Sequence, residues 1–316
     1  MQNLIEGLND KQKEAVLATE GPCLVIAGAG SGKTKVLTHK IAYLISEKGV
    51  KPYNILAITF TNKAASEMKQ RVEKLVGDVA QEMWMGTFHS ICVRILRRFI
   101  DRIGFDTSFL IFDTSDQKTV VKECLKALNI DDKTFSDRSV LSEISNAKNE
   151  MLTPKAYQTK YAGEFRKEKI GQVYELYQKR LRENNAIDFD DIINYTIEIL
   201  SENPDVLQYY TEKFKYVLVD EYQDTNKAQF TLVTILASRY GNITVVGDND
   251  QGIYSFRGAD ISNILNFEKD FPGTKIIKLE QNYRCTGNIL KAANAVIKHN
   301  ENKYEKKLWT ENEEGS

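Results

Sequence analysis

An octapeptide rich in glycine, AGAGSGKT at residues 27–34, has the composition of a loop that binds phosphate groups. It follows an apolar run and opens a helical pattern, which is the context that such a loop requires. Gly28, Gly30 and Gly32 let backbone N–H groups turn inward, and the start of the helix adds its partial positive charge. The candidate nucleotide-binding residues are Ala27, Gly28, Ala29, Gly30, Ser31, Gly32, Lys33 and Thr34.

The last two residues of this loop carry the chemistry. We expect Lys33 to reach the β- and γ-phosphates of a nucleotide, and the Thr34 hydroxyl to ligate Mg²⁺. Ala27 stands where the strict pattern has glycine, and either residue fits a tight turn. The alternative is a glycine-rich connector with an incidental lysine, and the strand before the loop and the helix after it argue against that alternative.

Two adjacent acids follow a second apolar run, in YVLVDEYQDTN at residues 216–226. A phosphate-binding loop needs an acid at the end of another strand to hold Mg²⁺, and Asp220 has that position. Glu221 beside it can act as the general base that polarises an attacking water molecule. An isolated Asp-Glu pair is more often a solvated strand end, but this pair follows four apolar residues and accompanies the loop at 27–34.

A third run leads into VVGDNDQGIYSFRGAD at residues 245–260. The side-chain amide of Gln251 is suited to sensing a γ-phosphate. Tyr254, Phe256 and Arg257 combine aromatic faces with a cation, which is the composition of a surface that binds single-stranded nucleic acid.

Two further runs end in aromatic side chains, Phe60 in ITFTNKAASEM (58–68) and Phe88 with His89 in GTFHS (86–90). Taken singly, each of these side chains is more often packed in a core than stacked on a base. Their shared position at strand ends favours one DNA groove over separate packing sites.

Six apolar runs must form the strands that position these residues. The runs are short and continuous rather than alternating, which is typical of strands buried on both faces of a parallel sheet. Helical patterns separate them, and this alternation predicts an α/β fold whose ligands gather at the carboxyl ends of the strands. The runs are CLVIAGAG (23–30), ILAITF (55–60), MWMGTF (83–88), YVLVDE (216–221), ITVVGD (243–248) and KIIKL (275–279).

Residues from about 113 to 186 interrupt this alternation. Their segments are rich in charge, and apolar residues recur three and four positions apart, as at Val121, Cys124, Leu125 and Leu128. That spacing predicts helices. We therefore expect a helical insertion within the sheet domain.

Composition excludes several classes of protein. Lys and Arg number 43 against 44 Asp and Glu, which excludes a histone-like protein but not a motor with its basic residues in one groove. No run approaches the roughly 18–20 apolar residues that span a bilayer, and the start of the chain has no signal-peptide core. The cysteines and histidines are scattered, which argues against disulfides and a zinc site. We expect a soluble, cytoplasmic protein.

Seven motifs in a fixed order make the chain resemble the UvrD/PcrA/Rep group of superfamily 1 DNA helicases. The resemblance runs from residue 8 to residue 289, and it implies a RecA-like P-loop ATPase domain, an inserted helical subdomain, and ATP with Mg²⁺ as cofactors. The motifs are LNDKQKEA (8–15), AGAGSGKT (27–34), ITFTNKAASEM (58–68), GTFHS (86–90), VDEYQDTN (219–226), VVGDNDQGIYSFRGAD (245–260) and LEQNYRCTGNI (279–289).

The resemblance also implies roles for single residues. Gln12 matches the glutamine that reads adenine, and Tyr283 matches the ring that packs against the base. Arg284 matches the arginine that contacts the γ-phosphate, and Gln251 the residue that links the phosphate state to the DNA groove. The implied catalytic residues are Lys33, Glu221, Gln251 and Arg284. The implied DNA contacts are Phe60, Asn62, Thr87, His89, Tyr254, Phe256 and Arg257.

Departures from the family pattern affect two of these DNA contacts. Phe256 stands where the family often has tryptophan, so stacking at that point is expected to be weaker. His89 matches a family position whose role is the least defined of the set.

The implied domains are an ATP-binding domain at 1–112 and 187–285, a helical insertion at 113–186, and the start of a link to a second motor domain at 286–316. The family closes ATP between two RecA-like domains, and the residues after 285 are too few for the second. We expect an N-terminal fragment that holds one wall of the ATP cleft and is nearly inactive as an enzyme.

The implied activity is that of an ATP-dependent DNA helicase or translocase of DNA repair or replication. A 3′ to 5′ polarity rests on the resemblance alone. The implied partners are single-stranded DNA and tailed duplex DNA, with repair or replication proteins as further partners and no membrane. We expect the fragment to be monomeric.

Three other functions stay open at this stage. A P-loop GTPase would carry an Asn-Lys-x-Asp motif, but Ala65 follows Asn62 and Lys63 where the aspartate should stand. A nuclease-coupled recombination helicase subunit would share these motor motifs, and no nuclease carboxylate cluster occurs here. A non-enzymatic DNA-binding module would have a nearly silent ATP site, and ATPase measurements with and without single-stranded DNA separate it from a motor.

Overall fold

The computed structural model describes residues 4–252, 258–300, 304 and 306–315. Its residues form two compact units, each with a hydrophobic core of its own. The sheet unit comprises Met1–Phe88, Gln208–Thr225 and Val233–Ser316. The helical unit comprises His89–Leu207 and Asn226–Leu232.

Strands occur in both units. They are β1 (Cys23–Ala27), β2 (Ile55–Thr59), β3 (Trp84–Thr87), β4 (Leu110–Ile111), β5 (Ala186–Ile187), β6 (Tyr216–Val219), β7 (Ile243–Gly247) and β8 (Lys275–Leu279). Within the described residues, six of them form one sheet in the order β3-β2-β6-β7-β1-β8. Every neighbouring pair in that sheet is parallel, which confirms the α/β class with a parallel central sheet.

The central strands are buried because their residues are apolar along the whole strand. Every residue of β1, β2 and β7 is buried, as expected for strands covered on both faces. Since parallel strands point the same way, their carboxyl ends share one edge of the sheet. The segments that follow β1, β6, β7 and β8 therefore meet at that edge.

Helices flank the sheet and build the second unit. They are α1 (Asp10–Leu17), α2 (Lys33–Ser46), α3 (Asn62–Val76), α4 (Phe88–Phe99), α5 (Thr114–Ala127), α6 (Asp137–Asn149), α7 (Pro154–Lys160), α8 (Phe165–Glu183), α9 (Phe189–Glu202), α10 (Pro204–Lys213), α11 (Lys227–Ala237), α12 (Ser262–Leu265), α13 (Phe267–Asp270) and α14 (Gly287–Ile297). No helix among the described residues is long and apolar enough to cross a membrane.

Side-chain caps define where several of these helices begin. The Asn9 side chain accepts a hydrogen bond from the Gln12 amide N–H, and the Gln12 side chain accepts one from Asn9 in return, which is a capping box at α1. The Thr61 side chain caps α3 by accepting a hydrogen bond from the Ala64 backbone N–H, and Gly77 is the C-cap of that helix.

The helical unit contains α5 to α9, and its core includes Val121, Cys124, Leu125, Tyr177 and Leu181. A short parallel pair, β4 with β5, lies beside these helices. The unit is wider than the range 113–186 at both ends. The division into an ATP-binding domain and an insertion at those limits stays a prediction.

A buried ion pair joins α6 to α9 inside the helical unit. The Lys148 ammonium lies 2.6 Å from Asp188 Oδ2 and 2.7 Å from Asp191 Oδ1, and the Tyr177 hydroxyl donates to Asp188 Oδ2. Burial alone would lower the pKa of Lys148, but the two carboxylates outweigh it and hold that pKa well above its ordinary value. The three charged groups therefore depend on one another for compensation.

We expect Lys148→Met to lower the free energy of unfolding by about 3–5 kcal/mol, because it leaves buried carboxylates uncompensated. Chemical denaturation of the variant and the wild type measures this loss. Lys179→Met, at an exposed position of α8, is the matched control and should change stability by less than about 0.5 kcal/mol. Equal losses for the two variants would contradict a structural role for this ion pair.

Candidate nucleotide site

The loop between β1 and α2 has the backbone of a phosphate cradle. Gly30 and Gly32 adopt the left-handed conformation, with φ of +71° and +88°, which side chains other than glycine rarely adopt. A Cβ on Gly30 would lie 2.8 Å from Arg284 Cβ, and one on Gly32 would lie 2.7 Å from Gln12 Nε2. Both conformation and close packing therefore require glycine here.

The segment after β8 holds this loop in place. The Asn282 side-chain amide donates to the Ala29 carbonyl at 2.7 Å, and the Tyr283 backbone N–H donates to the Gly30 carbonyl at 2.9 Å. Within the loop, the Ser31 hydroxyl donates to the carbonyl of Gly28. The backbone N–H groups of Gly28 and Ser31 also donate, to the carbonyls of Leu279 and Gly28. The N–H groups at the start of α2 are the ones that a helix offers to an anion.

The lysine and the second acid predicted from the sequence are in direct contact. Lys33 Nζ lies 2.7 Å from Glu221 Oε2, and the Gln223 side chain donates to the same oxygen at 3.0 Å. Glu221 directly follows Asp220 after β6 and has a left-handed backbone with φ of +49°. Such a conformation costs a non-glycine residue roughly 1 kcal/mol, and it is most often retained at functional sites.

Two further acids, Asp220 and Asp224, lie close to this pair, and their charge is incompletely compensated. Burial and the neighbouring Glu221 carboxylate raise the pKa of Asp220 to about 6, against the opposing charge of Lys33. Burial and Glu221 also raise the pKa of Asp224 to about 6. Within the described residues, Asp224 Oδ1 is buried without a hydrogen-bond partner. The cluster therefore has a surplus of negative charge that a cation would relieve.

Magnesium fits this donor set better than a metal that needs an all-protein cage. Among the described residues, no group of three or more His, Cys, Asp or Glu side chains is arranged to hold a metal ion. Mg²⁺ is usually held by one or two carboxylates together with water and substrate phosphates. Asp220 and the hydroxyl of Thr34, the second residue of α2, are oxygen donors of that kind.

A cavity of about 590 Å³ opens at the carboxyl edge of the sheet and brings most of the predicted residues together. Its lining comprises Ala29, Gly30, Gly32, Lys33, Thr34, Lys35, Glu67, Arg71, Glu221, Gln251, Tyr283 and Arg284. Ala27, Gly28, Ser31 and Asp220 lie behind this surface and are buried or nearly so. The cavity is large enough for a nucleotide-sized ligand.

Hydrogen bonds to α1 orient the aromatic wall of this cavity. The Tyr283 hydroxyl accepts from Asn9 Nδ2 at 2.7 Å and donates to Gln281 Oε1 at 2.9 Å. Gln12, whose side chain is buried, donates to the Ser31 carbonyl at 3.0 Å. Both predicted base-contacting residues are thus tied to the start of α1, and their roles in reading adenine stay predictions.

The predicted DNA contacts occupy several places. Phe60 and Asn62 follow β2, Thr87 ends the neighbouring strand β3, and Phe60 packs edge-to-face against the buried Phe88 at 5.5 Å. Phe88 is therefore a core residue, while Phe60 is only partly buried.

The other predicted DNA contacts are outside this group. His89 belongs to the helical unit, where it packs edge-to-face on Phe189 and burial lowers its pKa. Tyr254, Phe256 and Arg257 lie outside the described residues. The DNA-binding roles of all seven residues stay predictions.

Sequence reasoning missed several residues that shape the site. Arg71 and Glu67 on α3 line the cavity, and the Arg71 charge opposes the raised pKa of Asp220. Asn282 holds the phosphate loop, and Gln223 connects Glu221 to the backbone of Asp248. Asn282 and Gln223 stand inside the recognised motifs. The sequence therefore marked these two positions, although no role was predicted for them.

Comparison with known proteins gives two family matches. Residues 8–272 match the UvrD/REP helicase N-terminal domain, and residues 277–316 match the UvrD-like helicase C-terminal domain. The chain is 59% identical over 315 residues to the ATP-dependent DNA helicase PcrA of Staphylococcus epidermidis. It is 58% identical over 315 residues to the protein of the same name from Staphylococcus aureus.

These alignments cover 100% of this chain but 43% of each relative, so the chain spans less than half the length of the curated relatives it matches. The N-terminal family match extends over most of the chain and includes the loop, the acids and the strands that carry them. This chain therefore belongs to the UvrD/REP helicase family.

Proposed function

We propose that this chain binds ATP with Mg²⁺ in the cavity at the sheet edge and serves as a motor element of an ATP-dependent DNA helicase or translocase. The observation that carries the proposal is the meeting of Lys33, Glu221, Gln251 and Arg284 around one glycine-rich loop. The PcrA relatives are ATP-dependent DNA helicases by name, which agrees with this chemistry.

The proposed division of labour follows from where each group lies. The loop N–H groups and Lys33 hold the triphosphate, and Tyr283 with Gln12 holds the base. Glu221 orients the attacking water and accepts its proton. Thr34 and Asp220 would hold Mg²⁺, which when bound neutralises charge on the phosphate oxygens.

Substrate binding must rearrange the pair at the centre of the site. Lys33 donates to Glu221, and an entering phosphate competes with Glu221 for that ammonium group. When the phosphate takes Lys33, the Glu221 carboxylate is released to act on water, and it keeps the hydrogen bond from Gln223. Phosphate binding and activation of the base are thereby coupled.

The proposed second substrate is DNA, as a single strand or a tailed duplex. Phe60, Asn62 and Thr87 lie at the carboxyl ends of two adjacent strands, where bases can stack and phosphates can be contacted. We further propose 3′ to 5′ movement, a role in DNA repair or replication alongside other proteins of those processes, a cytoplasmic location, and a monomeric state.

The 316 residues alone are proposed to be a poor enzyme. They span 43% of the length of the PcrA relatives, and ATP turnover in this family is proposed to need charge stabilisation from a second domain. A missing contact of the arginine-finger type costs about 10³ to 10⁵ in rate.

Removing the phosphate-binding charge should weaken nucleotide binding. For Lys33→Ala we expect affinity for MgATP to fall about tenfold or more, since a charge-assisted contact to phosphate is lost. Equilibrium titration with a fluorescent nucleotide measures it. Lys48→Ala, at an exposed position just after α2, is the control. Equal affinities for Lys33→Ala and the wild type would contradict the assignment of the phosphate loop.

Glu221→Gln should separate chemistry from binding. The amide cannot accept the proton of water, so hydrolysis in the intact protein should fall by about 10² or more while ATP affinity stays near the wild-type value. Single-turnover hydrolysis keeps slow rates measurable. Glu73→Gln makes the same isosteric change at a residue of α3 and is the control. Hydrolysis by Glu221→Gln at the wild-type rate would exclude this residue as the base.

DNA-dependent activity tests the motor proposal itself. For residues 1–316 we expect weak ATP binding, little stimulation of ATPase by single-stranded DNA, and no unwinding of a tailed duplex. Binding to single-stranded DNA should weaken steeply with salt, because phosphate contacts dominate it. A strand-displacement assay on a tailed duplex measures the unwinding. ATP-dependent unwinding by the purified chain would contradict the need for a second domain.

A further inference from the structure

A short segment after α14, Lys306–Trp309, pairs with the chain that follows β8. The Trp309 backbone N–H donates to the Glu280 carbonyl, and the Asn282 N–H donates to the Trp309 carbonyl at 2.7 Å. This pairing makes the segment a parallel extension of the chain after β8. We name Lys306–Trp309 the strap.

The first residue of the strap forms a buried ion pair with the loop after β7. Lys306 Nζ lies 2.6 Å from Asp248 Oδ1, donates to Asn249 Oδ1 at 3.0 Å, and contacts the Asp250 carboxylate. The side chains of Lys306 and Asp248 are each 3% exposed, so water screens the pair little.

The same loop carries the residue predicted to sense the γ-phosphate. Gln251 Nε2 donates to Asp248 Oδ2 at 2.6 Å, so one carboxylate holds Lys306 on one oxygen and Gln251 on the other. The position of the Gln251 amide at the cavity therefore depends on where Lys306 holds Asp248.

Hydrogen bonds also connect Asp248 to Glu221, the proposed base. Its backbone N–H donates to Gln223 Oε1 at 3.0 Å, and Gln223 Nε2 donates to Glu221 Oε2 at 3.0 Å. Because Lys33 donates to the same Glu221 oxygen, an unbroken chain of hydrogen bonds links Lys306 to Lys33. Hydrogen bonds connected in this way polarise one another.

A second residue of the strap touches the phosphate loop. A Cβ placed on Gly28 would lie 2.4 Å from Leu308 Cδ2, so the Leu308 side chain fills the space that a larger residue at position 28 would occupy. The Leu308 carbonyl accepts from Asn294 Nδ2 at 2.8 Å, which fixes the strap from α14. The strap thus contacts both the phosphate loop and the loop after β7.

We propose that the strap is a positioning element for this ATP site, with Lys306 setting the response to the γ-phosphate and Leu308 supporting the phosphate loop at Gly28. The proposal rests on the proposed ATP-binding function. Lys306 lies in the region matched by the C-terminal family domain, and Asp248 in that of the N-terminal domain, so the ion pair joins two separately matched segments.

The test compares affinity for ADP with affinity for a non-hydrolysable ATP analogue. In Lys306→Met the Gln251 amide loses its fixed position, so affinity for the analogue should fall about tenfold while ADP affinity stays within about twofold. Lys306→Arg keeps the charge and should retain most of the wild-type ratio. Thermal unfolding of each variant in the absence of nucleotide gives the stability change separately.

The outcomes are distinct. An equal loss of ADP and analogue affinity, following the loss of stability, would mean that Lys306 only stabilises the fold, and the proposal would be wrong. An unchanged ratio in a folded Lys306→Met would overturn it as well. Failure of the wild type to bind either nucleotide would instead reject the proposed function, and the positioning role with it.

Leu308 allows a second, independent test of the proposal, which depends on side-chain size rather than on charge. Gly28→Ala should lower ADP affinity about tenfold, because the new methyl group displaces Leu308 or the loop. Adding Leu308→Ala makes room for that methyl group, so the double variant should bind ADP better than Gly28→Ala alone. A double variant that binds ADP no better would overturn the contact between strap and loop.

Discussion

Compensation of buried carboxylates is the constraint on which this structure depends. An unpaired charge in a protein interior costs several kcal/mol, so each buried acid must find a cation or several hydrogen-bond donors. The chain meets this demand with lysines that are distant in sequence: Lys306 serves Asp248 and Asp250, and Lys148 serves Asp188 and Asp191. Lys33 makes the corresponding pair with Glu221, whose carboxylate is only partly buried. Of these pairs, the one formed by Lys33 is the most open to solvent, and it alone faces the proposed phosphate position.

Much of the fold could be predicted because the signal is local. The continuous apolar runs became buried parallel strands, since a residue such as Val25 or Val246 has no polar face to offer to water. The order β3-β2-β6-β7-β1-β8 could not be read in the same way, because it depends on which strands pair across long loops. The limits of the helical unit depend on such non-local packing too, and they extend beyond the charged segment that marked it in the sequence.

The residues of the candidate site also fall into those with a local sequence signal and those without one. The glycines, Lys33 and the acids were identified because phosphate chemistry requires those residue types at fixed spacing on one strand–helix turn. The partners that orient them have no such signature. Asn9 reaches Tyr283 across 274 positions, and Asn282 reaches Ala29 across 253, through ordinary amide groups. Only folding brings these pairs together, so a single sequence offers no spacing rule from which to find them.

The two ends of the hydrogen-bond chain through the site differ in a way that suits a switch. At one end, Lys306 is nearly inaccessible and held by several acceptors, so exchanging its partners would require breaking a dry ion pair. At the other end, Lys33 is held by Glu221, whose side chain is 38% exposed, so a phosphate can replace that partner at little cost. Binding energy therefore acts first on Lys33 and Glu221, while Lys306 supplies a fixed reference against which Asp248, Gln223 and Gln251 are aligned. If Lys306 and Lys33 could both exchange partners easily, phosphate would bind without changing the position of Glu221. If both lysines were held in dry ion pairs, the site could not respond to phosphate at all.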